Sequence, residues 1–380
     1  MSLSDNQTQA GNLVDGQILL GPEPTSSSTL RWSHTQFKHK DAENGAVTSV
    51  VLSPDGKLIA AAWDDITVTV WRMKDGFMVQ NLEDQGHADT VWTIAFSPDS
   101  ASVVSGSADA TAIVWDVMSG HVLWRLEGHT QDVMTVAFSP QGTTIATGST
   151  DCTVKIWSNA DGKLLHNLEG HISDIMRIAF SPDGSRLASC ADSGVILWDP
   201  DQGRRIVTLQ GHESAIWCMA WSAQGDRLIT GSEDNSGRVW DAENGDELVT
   251  LQEHTNSVWA VAFSPDGSEV ASASYDATVV TCDSFIGERH HTFSDAQSSS
   301  IVETVAYSTK GDLIASGSAD GNVRVWKAKS GEFVAEFQGH EEKVKNVQFT
   351  PDDRSIISYA EDGTIRVWSV LDALRLLPSL

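Results

Sequence analysis

The sequence predicts an all-β chain folded as one domain from eight similar four-stranded units. Three observations carry this. A tryptophan, or one substitute for it, recurs at Trp71, Trp115, Trp157, Trp198, Trp240, Cys282, Trp326 and Trp368, spaced 44, 42, 41, 42, 42, 44 and 42 residues. A Gly-His pair leads several of them at a fixed interval: His87 and Trp115, His129 and Trp157, His212 and Trp240, and His340 and Trp368 each lie 28 residues apart, and His171 and Trp198 lie 27 apart. Between these marks run short alternating, β-branched segments punctuated by Gly, Pro, Asp and Ser, the composition of strands and turns. A unit of about forty residues cannot bury its own apolar face, so the 380 residues are read as one domain and not as two or three.

Taken in order, residues 1–28 are rich in Ser, Gln, Asn and Gly without periodicity and read as a flexible tail, leaving 29–380 for the repeats. Within a unit the order is outer strand, Gly-His loop, inner strand such as Val133 to Phe138, Ser-Pro-x-Gly turn, second strand Thr144 to Gly148, tight turn at Asp151, and third strand Val154 to Trp157. A closed ring leaves no open sheet edge only if the last unit is completed by the other end of the chain. Two segments compete for that place. Leu30 to Phe37 alternates like a strand and leads into His39, whereas Ala373 to Leu377 lacks a preceding Gly turn and meets Pro378. Closure by the N-terminal segment is the expectation.

The formal net charge is −27. Sixteen of the 52 acids occupy turn positions or follow a repeat Trp, and the remaining 36 still outnumber the 25 bases by 11. Such a surface does not suit direct nucleic-acid binding, which needs a cationic field, and favours partners with basic segments. Cys152, Cys190, Cys218 and Cys282 are scattered without a C-x-x-C pair, so neither a zinc site nor a disulfide framework is indicated. No apolar run approaches a membrane span and no signal segment opens the chain. The expected setting is intracellular, cytoplasmic or nuclear, with no membrane partner and no cofactor. No phosphate-cradling loop, dinucleotide fingerprint, H-E-x-x-H or nucleophile elbow occurs. The pair His290-His291 has no further metal ligands in register.

The stretch Gly86 to Asp116, GHADTVWTIAFSPDSASVVSGSADATAIVWD, opens with Gly-His and closes with Trp-Asp. With its repeats over about residues 30–370 it resembles the WD-repeat β-propeller family. The resemblance implies a single eight-bladed β-propeller of four-stranded antiparallel blades. It also implies a buried polar tetrad of His, Ser or Thr, Asp and Trp in each fully equipped blade. Carried over by motif, these are His87, Ser105, Asp109 and Trp115; His129, Thr147, Asp151 and Trp157; His171, Ser189, Asp192 and Trp198; His212, Thr230, Asp234 and Trp240; and His340, Ser358, Asp362 and Trp368. Ser, His and Asp together also describe a hydrolase triad. An active site is built once, whereas these sets recur in five blades, which assigns them to structure. Blade one has Ala61 where the hydroxyl belongs, blade six has Cys282 for Trp, and blade seven replaces Gly-His with Ser294 to Ser300. Drift and a released binding loop both account for the last two.

In similar proteins the Gly-His loops and Asp turns share one face, the usual docking surface, and the residue after the first apolar residue of each inner strand rings the channel mouth. Here those positions read Thr48, Trp92, Met134, Met176, Trp217, Trp259, Glu303 and Lys345. Asp89, Asp132 and Asp174 lie just upstream of three of them, and Glu233, Tyr275 and Glu361 precede turn acids on the same face. Large aromatics among acids suit an Arg or Lys side chain, and Met adapts to more than one shape. Packing of the hub is the alternative use of the same residues. The W-D-x-R sequence with which similar propellers join cullin-type ubiquitin ligases is missing, the chain having Trp-Asp-Val-Met, Trp-Asp-Pro-Asp and Trp-Asp-Ala-Glu. The expected function is a non-catalytic scaffold or adaptor that binds partner peptides or domains on the Gly-His face. An acidic escort for a basic client is the alternative and an enzyme a more distant one.

Removing a tetrad histidine tests its structural assignment. His129→Ala should lower the unfolding free energy by about 1–3 kcal/mol in urea titration, because it strands a buried polar partner.

Overall fold

The structure, a computed structural model, describes residues 34–37, 46–83, 86–192, 194–294 and 299–376. The expected tail 1–28, His39 and most of the loop that replaces Gly-His in blade seven lie outside them. The described chain forms eight separate four-stranded antiparallel sheets. Blade two shows the common pattern: inner strand Val91–Phe96, second strand Ser102–Ser107, third strand Thr111–Asp116 and outer strand Val122–Glu127. Each inner strand carries a register shift after its first residue, as between Val91 and Thr93. Such a bulge bends the strand and increases its twist at the end where the loops converge.

Alternation along these strands gives every blade two apolar faces, and the neighbouring blades cover both. The buried apolar residues therefore gather in eight layers, one between each pair of adjacent blades. Between blades two and three, Val104, Val114 and Leu126 meet Val133, Phe138, Ile145 and Trp157. The Trp of one blade thus packs on the outer strand of the blade before it.

The ring closes through the N-terminal segment. Strand His34–Phe37 pairs antiparallel with the third strand of blade eight, His34 opposite Trp368 and Phe37 opposite Ile365. Phe37 is fully buried and lies 5.9 Å from the Trp71 ring, in a layer with Val47, Ile59, Trp63 and Ile357. The other candidate segment is helical: Val370–Leu376 is an α-helix whose Val370 and Ala373 pack into the layer between blades seven and eight. Helical hydrogen bonding within one segment supplies what a lone terminal strand could get only from an edge already taken.

At the opposite turns from the Gly-His loops, the acids serve backbone geometry. Ser97 Oγ donates to Asp99 at 2.5 Å and accepts from Ser102 N–H at 2.9 Å. Gly142 ends the matching turn of blade three at φ 71°, a left-handed conformation that would strain any side chain placed there.

Because Phe37 belongs to the layer that shuts the ring, Phe37→Ala should cost ~3–5 kcal/mol in denaturant unfolding. A comparable loss should follow deletion of residues 1–37.

Candidate functional site: the blade locks and the Gly-His face

The residue types of the repeat assemble into a relay. In blade two Trp115 Nε1–H donates to Ser105 Oγ at 2.9 Å, Ser105 Oγ lies 2.7 Å from His87 Nε2, and His87 Nδ1 lies 2.9 Å from Asp109 Oδ2. The proton placement follows from the ends: an indole can only donate and a carboxylate only accept, so the hydroxyl donates to Nε2 and Nδ1–H donates to Asp109. Blades three and five repeat this with His129, Thr147, Asp151 and Trp157, and with His212, Thr230, Asp234 and Trp240. Blade six keeps His254, Ser272 and Asp276 although Cys282 offers no indole.

A fifth member completes the lock. Thr111 Oγ1 donates to Asp109 Oδ1 at 2.6 Å and stands 3.4 Å from His87 Nδ1. Thr153, Ser236, Thr278 and Thr364 hold the same place. Their signal in the sequence is a hydroxyl two residues after the turn acid, which the four-residue motif passes over. In blade eight this hydroxyl comes closest to the imidazole, with His340 Nδ1 2.8 Å from Thr364 Oγ1 and 3.4 Å from Asp362 Oδ2.

Blade four departs from the expected set. His171 Nε2 lies 2.6 Å from Ser189 Oγ, and Trp198 Nε1–H donates to the same oxygen at 2.7 Å. Asp192 is exposed and does not bond to His171. The loop here is one residue shorter than in the other locked blades, so the acid cannot reach the imidazole.

Two of the altered blades use other chemistry. In blade one Trp63 stands where Ser107 stands in blade two, donates to Thr69 at 2.8 Å and meets Trp71 edge-on at 6.1 Å, so aromatic packing takes the place of the relay. In blade seven Arg324 donates to Ser318 and to Asp320, each at 2.7 Å, and its guanidinium ties strand to turn without an imidazole. A cavity of about 10 Å³, room for about one water molecule, lies beside it among Phe293, Ser300, Ser316 and Trp326.

Burial works against ionisation of the turn acids, yet the hydrogen bonds they accept outweigh it. Those from Thr153, the Thr130 N–H and His129 hold Asp151 down to about 2, and the corresponding set holds Asp234 at about 2. Asp109, Asp276 and Asp362 are lowered for the same reason. Burial also lowers His129, His212 and His340, with the partner acid opposing it, and lowers His171 to about 4 with no acid to oppose it.

The residues expected at the ring mouth vary more than the lock residues do, with Trp in blades two, five and six, Met in three and four, and Thr, Glu and Lys in one, seven and eight. Thr48 Oγ1 donates to Val91 O at 2.5 Å. Trp92 is 37% exposed, the most open of the ring aromatics, and its Nε1–H donates to Asp132 at 3.1 Å. Met134 and Met176 are half-buried, and Asp89 and Asp174 are exposed. Trp217 lies 4.8 Å from Trp259, and Trp259 stacks on Tyr275 at 4.8 Å and 19°. Three rings from two adjacent blades thus form one continuous aromatic ladder. Glu233 accepts a hydrogen bond from Ser214. Glu303, expected at the surface, is only 3% exposed and pairs with Lys345 at 3.1 Å, and Lys345 also reaches Glu361 at 2.8 Å. Desolvation and the nearby Glu303 and Glu361 charges raise the Tyr275 hydroxyl above its ordinary value. Among the described residues no group of three or more His, Cys, Asp or Glu is placed to hold a metal ion.

Eight sheets around one axis, locked by a recurring Trp–hydroxyl–His–Asp relay, define a β-propeller, a fold that points to a protein–protein interaction scaffold. The chain belongs to the WD domain, G-beta repeat family, whose model matches residues 32–72, 78–116, 120–158, 162–199, 203–241, 245–281, 287–327 and 331–369. Among solved structures it is similar to the computationally designed Ika8 protein, at 30% identity over 87% of this chain and 97% of that one, with a TM-score of 0.76. Among curated proteins it is 32% identical over 90 residues, 24% of its length, to the pre-rRNA-processing protein IPI3 of Mycosarcoma maydis. It is 28% identical over 75 residues, 20% of its length, to a WD repeat-containing protein 91 homolog of Dictyostelium discoideum. The chain spans 15% and 10% of the length of those two relatives. Among the described residues no helix is long and apolar enough to cross a membrane.

The His171 environment has a measurable consequence. Its folded value near 4 lies below the ordinary 6.5, so its stabilisation is complete above pH 6.5 and is lost as pH falls from 6.5 towards 4. Thermal unfolding followed by circular dichroism should show Tm falling across that window, and His171→Gln should flatten the fall. An equal slope in the variant would contradict the assignment.

Proposed function

We propose that this chain is a non-catalytic scaffold that binds partner proteins through the Gly-His face, with Trp92, Met134, Met176, Trp217, Trp259 and Tyr275 as the anchoring surface. The observation that carries the reading is the contrast between the two residue classes on that face. The lock residues recur from blade to blade and are consumed in holding strands together. The ring residues vary around the blades, are part-exposed, and bring large aromatics together beside carboxylates. Aromatic residues in such settings supply most of the energy of protein interfaces. A rigid ring presenting them loses little entropy on binding.

The acidic surface favours partners with basic segments, by steering their approach and excluding other acidic surfaces. The net charge of −27 also favours a second reading, an escort that shields a basic client protein. The two differ in how much of the binding depends on the aromatics. Apart from Asp192, the tetrad members are bonded within their locks, and the reading assigns no reaction and no cofactor.

The test is partner capture followed by mass spectrometry, with Trp92, Trp217 and Trp259 replaced together by Ala. The expected outcome is loss of the partners held by the parent protein, with an unchanged melting transition. Partners that persist in the triple variant but are released by raised salt would favour the acidic escort instead.

A further inference from the structure

One buried acceptor on the Gly-His face lacks a donor: Glu303 Oε1, on a side chain only 1% exposed. Its sister oxygen Oε2 accepts from Lys345 Nζ at 3.1 Å, and the same ammonium reaches Glu361 Oε1 at 2.8 Å. Lys343 Nζ, 3.9 Å from Oε1, is too distant to hydrogen-bond. A buried carboxylate with one oxygen unanswered is held at a cost, and a compact ammonium shared between two acids cannot answer all four oxygens. The Lys345 side chain is 34% exposed on a flexible stem, so the group that covers Glu303 is also the group able to swing aside. The ladder of Trp217, Trp259 and Tyr275 comes from the two preceding blades, and Trp217 Nε1 is a second buried polar atom without a partner.

We propose that Lys345 is the internal occupant of an arginine site. When a partner segment docks, one of its arginines displaces the ammonium, pairs its guanidinium with both Glu303 oxygens, and lies against Trp259 and Tyr275. This rests on the reading of the Gly-His face given above and specifies its ligand. Arginine suits the site better than lysine on two grounds. Its fork offers two parallel N–H donors to one carboxylate, which reaches the unanswered Oε1 together with Oε2. Its flat cation stacks on an aromatic face, whereas a lysine would exchange one ammonium for another. The displaced Lys345 remains beside Glu361 and keeps that acid paired. The site is therefore closed to water and to weak cations until a better-matched one arrives, which confers selectivity on a face whose overall charge attracts any base.

The experiment uses the full-length protein with ¹⁵N-labelled tryptophan and three probes: N-acetyl-arginine amide, N-acetyl-lysine amide and the neutral N-acetyl-citrulline amide. The readout is the indole N–H signals of Trp217 and Trp259, identified with Trp217→Phe and Trp259→Phe. The arginine probe should shift both signals saturably and bind roughly tenfold tighter than the lysine probe, the factor that ~1.4 kcal/mol represents, with no saturation by citrulline. Lys345→Met should tighten arginine binding several-fold by removing the competitor, and Glu303→Gln should abolish it. Equal binding of arginine and citrulline, or weaker arginine binding in Lys345→Met, would overturn the proposal. If Glu303→Gln fails to fold, the direction of the Lys345→Met change decides alone. Absence of arginine binding in a protein whose triple Trp variant loses its partners removes this site and leaves the face reading intact. Partners retained by the triple variant overturn both.

Discussion

A four-stranded blade has two apolar faces and cannot cover either by itself. Everything else in this protein follows from that constraint. Eight layers of buried side chains, each shared by two blades, replace a single central core, and the layer between the last blade and the first forms only when the ring closes. The layer between blades eight and one is where the two ends of the chain meet. Phe37, the last residue of a four-residue strand, fills it together with Trp63 and Trp71. Stability is thus shared around the ring, but the closing strand is where one short segment decides whether the other layers stay dry.

Packing alone does not fix the relative positions of strand, turn and loop within a blade, and the polar relay does so. The hydroxyl at its centre, Ser105 in blade two, accepts from the indole and donates to the imidazole, so one small side chain links two elements that never pair as strands. The carboxylate at its end also takes the Ala88 N–H at 2.9 Å and thereby fixes the Gly-His loop. Blades one and seven show which part of this is essential. The strand and the turn must be tied, but aromatic packing around Trp63 or the Arg324 guanidinium serves in place of imidazole. Blade four shows the geometric limit, since one missing residue detaches the acid from its histidine.

The locks hold the Gly-His face still, and a still face can present groups that would otherwise collapse together. The aromatic ladder and the Glu303–Lys345–Glu361 group sit side by side there, one apolar and flat, the other charged and partly desolvated. Among the described residues neither arrangement recurs in the other blades. Burial of Glu303 is tolerated because the adjacent blade supplies Lys345, an example of one blade's chemistry depending on the next.

The sequence by itself determined the repeat, the blade count and the members of most locks, because these are periodic patterns set by strand geometry and by donor-acceptor complementarity within forty residues. It also contained the hydroxyl two residues after six of the eight turn acids, legible once its role is known. Only the tertiary structure decided that Asp192 stands away from His171, that Trp63 and Arg324 substitute for missing lock members, and that residues 370–376 coil into a helix. It alone showed Glu303 buried beneath Lys345 and the rings of Trp217, Trp259 and Tyr275 joined in one stack. Those features arise between blades, where residues some forty positions apart meet at distances set by the curvature of the closed ring, which no local pattern encodes.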